Sequence, residues 1–290
     1  MATAFEVAVS GRRFRQPDYV VRLCSQCGLY FKTPTMPLDQ LDSYYAALDS
    51  AAFEHDGDFP TDRVVQLALA SLSRGSRVLD FGCSTGRLLK DSTARLECLG
   101  VEPNLPAAAA ARHRGIRILS EDELFQGYGA GLDAIIMADV YEHLPAPIPL
   151  VKRLASLLKP GGWLAIVTGN ADAIEDRDAL AEFWYFRLPG HLQMASERHM
   201  TWLAGSLGLD LEALHRLSHY QTPFRERARQ RLQAFAFRQF RHAPRSALTS
   251  VMRLVPRVRD AAHWPTAPAL MCGADHLVAV FKKKSSATLC

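Results

Sequence analysis

No stretch of this 290-residue chain is apolar over the roughly 18 residues that a membrane span needs. No apolar run follows the basic start of the N-terminus, so a signal peptide is not expected and a cytoplasmic protein is. Six cysteines are too few for a disulfide scaffold at this length. Cys83, Cys98, Cys272 and Cys290 have no partner spacing and read as reduced thiols. Internal repeats and low-complexity tracts are also missing. Two phosphate-binding signatures are lacking as well. There is no Gly-Lys-Ser/Thr loop, and a dinucleotide fingerprint starting at Gly82 fails because Ser84 and Arg87 stand where glycines belong.

What is present is an ordinary globular composition, 48% apolar and 22% charged, with enough length for a sizeable core. The net charge of +4 is unevenly spread. From Pro223 onward there are 13 Lys/Arg against 3 Asp/Glu, so a mildly acidic body carries a basic C-terminal part.

From Thr61 the pattern is regular. Thr61-Asp62 reads as the cap of a helix running towards Gly75. Short apolar strands are expected at 76–82, 96–102, 116–119, 132–139, 163–169 and 209–217, with a late one at 276–283. Helices are expected between them, at 86–96, 104–115, 149–162 and from Ser196 to Gly208. Strands alternating with helices at this spacing imply a doubly wound, mostly parallel sheet. Residues 1–60 read as an irregular extension.

The most informative segment is VLDFGCSTGRLL, residues 78–89. A glycine turn between first strand and helix is a nucleotide-type site in this architecture. Asp80 at the strand end would repel a pyrophosphate but suits a cationic ligand without phosphates. Glu102 closes the second strand, where a carboxylate can accept from both ribose hydroxyls.

Together with GVEPN (100–104), DAIIMADVYEHLPAP (133–147) and LLKPGGWLAIVTGN (157–170), this segment resembles the motifs of class I S-adenosylmethionine-dependent methyltransferases. The resemblance covers about residues 61–220 and the last strand. It implies a seven-stranded Rossmann-like sheet with the last strand antiparallel, and S-adenosyl-L-methionine as cofactor. It implies that Asp80, Gly82, Cys83, Ser84 and Gly86 line the methionine side and that Glu102 and Pro103 meet the ribose. Asp122 would approach the adenine, and Asp139 would close over the cofactor. Ser84 departs from the glycine common in the family. A slightly tighter turn with an extra hydroxyl is expected there, with binding retained.

A hydroxyl nucleophile benefits from a general base, and histidine suits neutral pH. His143 follows the fourth strand at the ligand-binding edge, and His191 lies in the loop FWYFRLPGHLQMAS (183–196). Both are candidates for the base; the bland alternatives are a backbone-bonded loop histidine for His143 and an ordering contact between loop and sheet for His191. Tyr44, Glu142, Asn170, Trp184 and Tyr185 are candidate acceptor contacts. No metal-ligand set is visible around Glu142.

Cys24-x-x-Cys27 resembles the second knuckle of a zinc module found before some methyltransferase domains. Four ligands are needed, and no cysteine precedes the pair, so zinc is not expected. The segment can still dock on the active-site face, with Tyr44 and Tyr45 near the cofactor. In FRERARQRLQAFAFRQFRHAPR (224–245), arginines alternate with Leu232, Phe235 and Phe240. Such a helix can pack on the body or contact an anionic membrane or lipid-linked substrate. Nucleic acid is a weaker reading because the rest of the chain is acidic.

The expected organisation is therefore an extension (1–60), a cofactor-binding domain (61–221 with 270–286) and a basic helical insertion (222–269). The expected activity is O-methylation of a small molecule, such as a sugar, a glycolipid intermediate or a secondary metabolite. Two alternatives stay open: an RNA or protein methyltransferase that uses the insertion, and a cofactor-binding regulator without transfer activity.

Overall fold

The computed structural model describes residues 2–48, 59–174, 180–264, 268 and 273–285. Cys272 and Cys290 lie outside these residues. Cys24, Cys27, Cys83 and Cys98 are free thiols.

The core is one seven-stranded sheet. Its strands are β5 (Arg77–Phe81), β6 (Glu97–Val101), β7 (Arg117–Leu119), β8 (Leu132–Ala138), β9 (Leu158–Gly169), β11 (Asp210–Leu217) and β12 (His276–Lys282). They lie in the order β11-β12-β9-β8-β5-β6-β7. The run from β7 to β9 is parallel, whereas β12 is antiparallel to both β9 and β11. Central strands covered on both faces read as near-continuous apolar runs. Ile135, Ile136, Leu164 and Ile166 are fully buried for that reason. The antiparallel β12 has a functional consequence: its N-terminal end shares an edge with the C-terminal ends of β5, β8 and β9, where ligands bind in this architecture.

Helices α2 (Pro60–Ala70), α3 (Leu105–His113), α4 (Glu121–Gly127), α5 (Pro147–Ser156) and α6 (Glu197–Leu207) flank the sheet. The Asn104 side chain accepts from Ala107 N to cap α3. Ser120 and Glu123 form a reciprocal capping box on α4. Ser196 caps α6, and Gly208 ends it in the left-handed conformation.

Four expectations are corrected. Helix α2 begins at Pro60 with Phe59 as an uncapped N-terminal residue and stops at Ala70, because the proline supplies the helical φ itself. Residues 87–95 form successive turns and not a helix. There Thr93 Oγ1 donates to Lys90 O, the kind of local bond that competes with helix. Helix α5 ends at Ser156, and β9 starts at Leu158, earlier than expected, because Gly161 N is held by Lys283 O. The N-terminal segment is not irregular. It holds the hairpin β1 (Phe5–Val9) and β2 (Arg12–Gln16), the hairpin β3 (Val20–Leu23) and β4 (Tyr30–Thr33), and helix α1 (Leu38–Ala47).

That N-terminal segment is built into the ligand edge. Strand β10 (Gln193–Met194), from the loop before α6, pairs antiparallel with β4. Tyr19 Oη donates to the carbonyls of Ala181 and Phe186 at 2.6 and 3.1 Å. The basic segment forms α7 (Phe224–His242), α8 (Ala247–Met252) and α9 (Pro256–Arg259). Its buried side chains, Ala236, Phe240, Met252 and Ala261, pack on one another.

Candidate active site

Two groups of side chains meet at the C-terminal edge of the sheet. The first surrounds the glycine turn. Asp80 is 2% exposed, and its Oδ1 has no hydrogen-bond partner. Burial, with the charge of Glu102 adding to it, pushes the Asp80 carboxyl up to about 7. Gly82 and Gly86 have φ of +79° and +83°. A Cβ at either would lie 2.3 Å from a side-chain atom, of Val140 and Ile116 respectively. These glycines are therefore needed for close packing within the protein as well as for the turn. Ser84 takes φ 47° in place of a glycine, and its N–H donates to Glu102 Oε2 at 2.8 Å. Glu102 Oε1 accepts from Asn104 N at 2.8 Å. Burial raises the Glu102 carboxyl, and these two amides work against the rise. Cys83 is buried beside the turn, and burial pushes its thiol up. Pro103 and Asp122 are exposed; Asp122 is in the first turn of α4, where Glu123 is taken by the capping box.

The second group follows β8. Asp139 adopts a left-handed φ of 54°, and its N–H donates to Val167 O at 3.0 Å. A 3-10 turn then carries Tyr141, Glu142 and His143. Glu142 is 1% exposed and accepts from Thr168 Oγ1 at 2.8 Å; burial raises its carboxyl. His143 Nδ1 lies 2.9 Å from Gly190 O and 3.1 Å from Tyr45 Oη. Tyr45 Oη also donates to Gly190 O at 2.8 Å. A carbonyl oxygen only accepts, so His143 Nδ1 carries a proton, and in the neutral ring Nε2 keeps the lone pair.

The His191 ring lies 4.8 Å from that of His143 and 4.1 Å from that of Tyr185. Burial, followed by the His143 charge, holds His191 well below the usual imidazole range. Its Nδ1 is buried without a partner. Tyr185 is 1% exposed, and its Oη accepts from Gly169 N at 3.1 Å. The Trp184 indole Nε1 is buried and unpartnered.

The loop that presents His191 is pinned from both sides. Leu192 N donates to Glu142 O at 2.9 Å, and Lys32 N donates to Leu192 O at 2.8 Å. Gln193 Nε2 donates to Tyr141 O at 2.7 Å. Tyr44 faces the N-terminal cluster, edge-on to Phe14 at 5.5 Å, while its neighbour Tyr45 reaches His143. Asn170 Nδ2 donates to Ala274 O at 2.8 Å and Oδ1 accepts from Asp172 N at 3.0 Å, so this side chain ties the end of β9 to the start of β12.

A profile of the methyltransferase domain family matches residues 53–214, more than half of the chain. The chain belongs to the S-adenosylmethionine-dependent methyltransferases. Among curated relatives of this methyltransferase, the ubiquinone biosynthesis O-methyltransferase of Xanthomonas axonopodis pv. citri is 36% identical over 106 residues. The namesake in Xanthomonas oryzae pv. oryzae is 35% identical over 108. The matches cover 33% of this chain and 44% of each relative, so the methyltransferase spans less than half the length of these relatives. Among solved structures, a protein of Bacillus halodurans proposed to be a methyltransferase superposes with TM-score 0.52 at 15% identity, over 78% of this chain and 100% of that one. The geranyl diphosphate C-methyltransferase of Streptomyces coelicolor gives TM-score 0.50 at 12% identity, over 84% of this chain and 83% of that one. These likenesses show the fold.

S-adenosyl-L-methionine is the cofactor of the methyltransferase. The glycine turn fits it. A buried carboxylate with an unpartnered oxygen is costly by itself and is matched by a ligand carrying an ammonium and a sulfonium.

Distance along the chain hid the rest of this edge from sequence reading. Two sets of residues each bring ligand-type atoms within 4.8 Å of one another: Glu142 with His143 and His191, and Asp139 with His219 and His276. Cys24 and Cys27 belong to neither. The one available hint was Asp275-His276 at the start of the late strand.

Proposed function

We propose that this methyltransferase transfers the methyl group to a hydroxyl oxygen of a small molecule, with His143 as general base. When bound, S-adenosylmethionine supplies an electrophilic methyl group for an in-line displacement. Asp80 holds its cationic end, Glu102 and Pro103 meet the ribose, Asp122 approaches the adenine, and Gly82, Cys83, Ser84 and Gly86 shape the turn. Asp139 closes over the donor side. His143 Nε2 takes the acceptor proton as the oxygen attacks. His191, neutral at physiological pH, the buried Glu142 and Tyr185, and the half-buried Trp184 form the wall behind it. Positioning of this kind can supply much of the rate of methyl transfer.

The observation that carries the reading is the 2.9 Å approach of His143 Nδ1 to Gly190 O, with Tyr45 Oη 3.1 Å away. A proton on Nδ1 satisfies that carbonyl and makes Nε2 the accepting nitrogen of the neutral ring. The O-methyltransferase names of the Xanthomonas relatives support an oxygen acceptor. Residues 1–60 are read as an N-terminal extension whose residues 2–48 cover the acceptor side, 61–221 with 270–286 as the cofactor-binding domain, and 222–269 as an insertion. The test is an acceptor screen with sugars, lipid-linked sugars and phenolic metabolites, read as S-adenosylhomocysteine formed. His143→Ala is expected to lower kcat by about 10²–10⁴ with unchanged cofactor affinity. Full turnover in that variant overturns the assignment.

A second feature bears on the acceptor. Among the described residues no helix is long and apolar enough to cross a membrane. Yet Phe224, Leu232, Val251 and Leu254 are 77, 55, 59 and 80% exposed, on a segment that carries the arginines of α7 together with Arg245 and Arg253. A basic surface with exposed apolar side chains suits an anionic lipid surface, and supports a lipid-linked acceptor. Flotation with phosphatidylglycerol vesicles, but not with phosphatidylcholine vesicles, is the expected result. Equal recovery from both counts against it.

A further inference from the structure

Next to the base lies a set of residues of which methyl transfer as described above uses only Asp139. Asp139 ends the region of β8, His219 lies two residues beyond β11, and His276 opens β12. Because β12 runs antiparallel, all three reach the same edge of the sheet. Each offers a ligand-type atom, and these atoms lie within 4.8 Å of one another.

The set is polar; His276 is buried, and Asp139 and His219 are half-buried. His276 and Asp275 are each 3% exposed. Asp139 Oδ1, His219 Nδ1, His276 Nδ1 and Asp275 Oδ2 are all buried without a hydrogen-bond partner. Burying a polar atom without a hydrogen-bond partner is costly. The His219 and His276 rings stack at 4.3 Å and 27°. Two imidazolium ions would repel in that arrangement, whereas two neutral rings can share one cation. His276 Nε2 faces Asp139 Oδ1 at 3.7 Å, and its Nδ1 faces Asp275 Oδ1 at 3.6 Å. Asp275 Oδ1 also accepts from His219 N at 2.9 Å. A carboxylate behind the far nitrogen of a ligating histidine is the usual outer support of a metal site. Arg87, whose charge reaches His219, is paired with Asp62.

We propose that Asp139, His219 and His276 form a binding site for a divalent transition-metal ion such as zinc or cobalt, with Asp275 behind the His276 ring and holding the backbone of His219. Two imidazoles and one carboxylate favour such ions over magnesium or calcium, which prefer all-oxygen sites. Three protein ligands leave a position open, as in sites that bind water or a substrate oxygen. An acceptor hydroxyl taken up there would sit beside the end of β8 with its pKa lowered. The site concerns metal binding and stands whether or not the acceptor is the one proposed above.

The test uses the full-length protein, stripped with a chelator and titrated with cobalt(II) while the visible spectrum is recorded, with zinc content measured after dialysis. One equivalent of either ion per chain is expected, with a cobalt spectrum free of thiolate charge-transfer bands. His276→Gln and His219→Gln should each weaken binding by more than the roughly 10–100-fold that loss of an outer support costs. Asp275→Asn should fall within that range. His143→Gln should keep the metal, because it belongs to the neighbouring set. Circular dichroism checks the folding of each variant. If His276→Gln does not fold, the less buried His219→Gln decides. The proposal is overturned if folded wild type retains no metal, if both histidine variants bind as wild type does, or if binding is lost on His143→Gln or on Cys24→Ser.

Discussion

Tyr45 Oη lies 3.1 Å from His143 Nδ1, with both groups on the carbonyl of Gly190. A residue of the N-terminal segment thus helps set the proton position on a histidine nearly a hundred residues later. Tyr45→Phe keeps the Gly190 bond and removes one partner of two. The expected result is a fall in kcat of about tenfold, the scale of one modest hydrogen bond, with cofactor affinity unchanged. Calorimetry beside steady-state kinetics separates the two. A loss of cofactor binding alone would contradict this role.

Asp80 makes cofactor binding pH-dependent. Its carboxyl is pushed up to about 7 by burial, above the usual carboxylate value. The unliganded fold therefore holds a proton that the unfolded chain has released, and loses stability as pH rises from about 4 to 7. A cationic ligand favours the ionised form, so its affinity should increase with pH between about 6 and 8 and binding should release a proton. Calorimetry in buffers of different ionisation enthalpy measures that proton. Asp80→Asn should flatten the dependence and stabilise the unliganded protein at pH 8.

Tyr185 Oη accepts from the N–H of Gly169 at 3.1 Å. Tyr185→Phe removes that acceptor from the buried donor, at an expected cost of about 1–3 kcal/mol in urea denaturation. An unchanged midpoint would mean that the amide finds another acceptor.

Ser84 sits at a left-handed φ that costs a non-glycine residue about 1–2 kcal/mol. Ser84→Gly removes that strain while freeing the unfolded chain, for an expected net gain of about 0.5–1 kcal/mol with cofactor binding retained. A loss of affinity would instead assign the hydroxyl a direct role at the cofactor.

What could be read from the sequence was whatever a local pattern encodes. The apolar runs of β5, β6, β8 and β9 and the Asp80 turn carry their own signal, because a strand buried on both faces has no polar positions to interrupt it. The N-terminal hairpins were missed because β1 to β4 are short and half exposed, and the pairing of β4 with β10 depends on a partner more than a hundred residues away. The turns at 87–95 carried a helical apolar spacing that Thr93 and the glycine turn overrode. Tyr44 and Tyr45 are adjacent, and only the orientation of α1 decides which of them meets His143. His219 and His276 join Asp139 solely through the order of strands in the sheet, which no spacing reveals.

The most direct measurement is calorimetric titration with S-adenosylmethionine and S-adenosylhomocysteine, on wild type and Asp80→Ala. The account predicts micromolar binding of both by wild type and a loss of at least a hundredfold in the variant, roughly the 3 kcal/mol of one buried counter-charge. Equal affinity in the two proteins, both folded, would contradict the assignment of the cofactor's cationic end to Asp80.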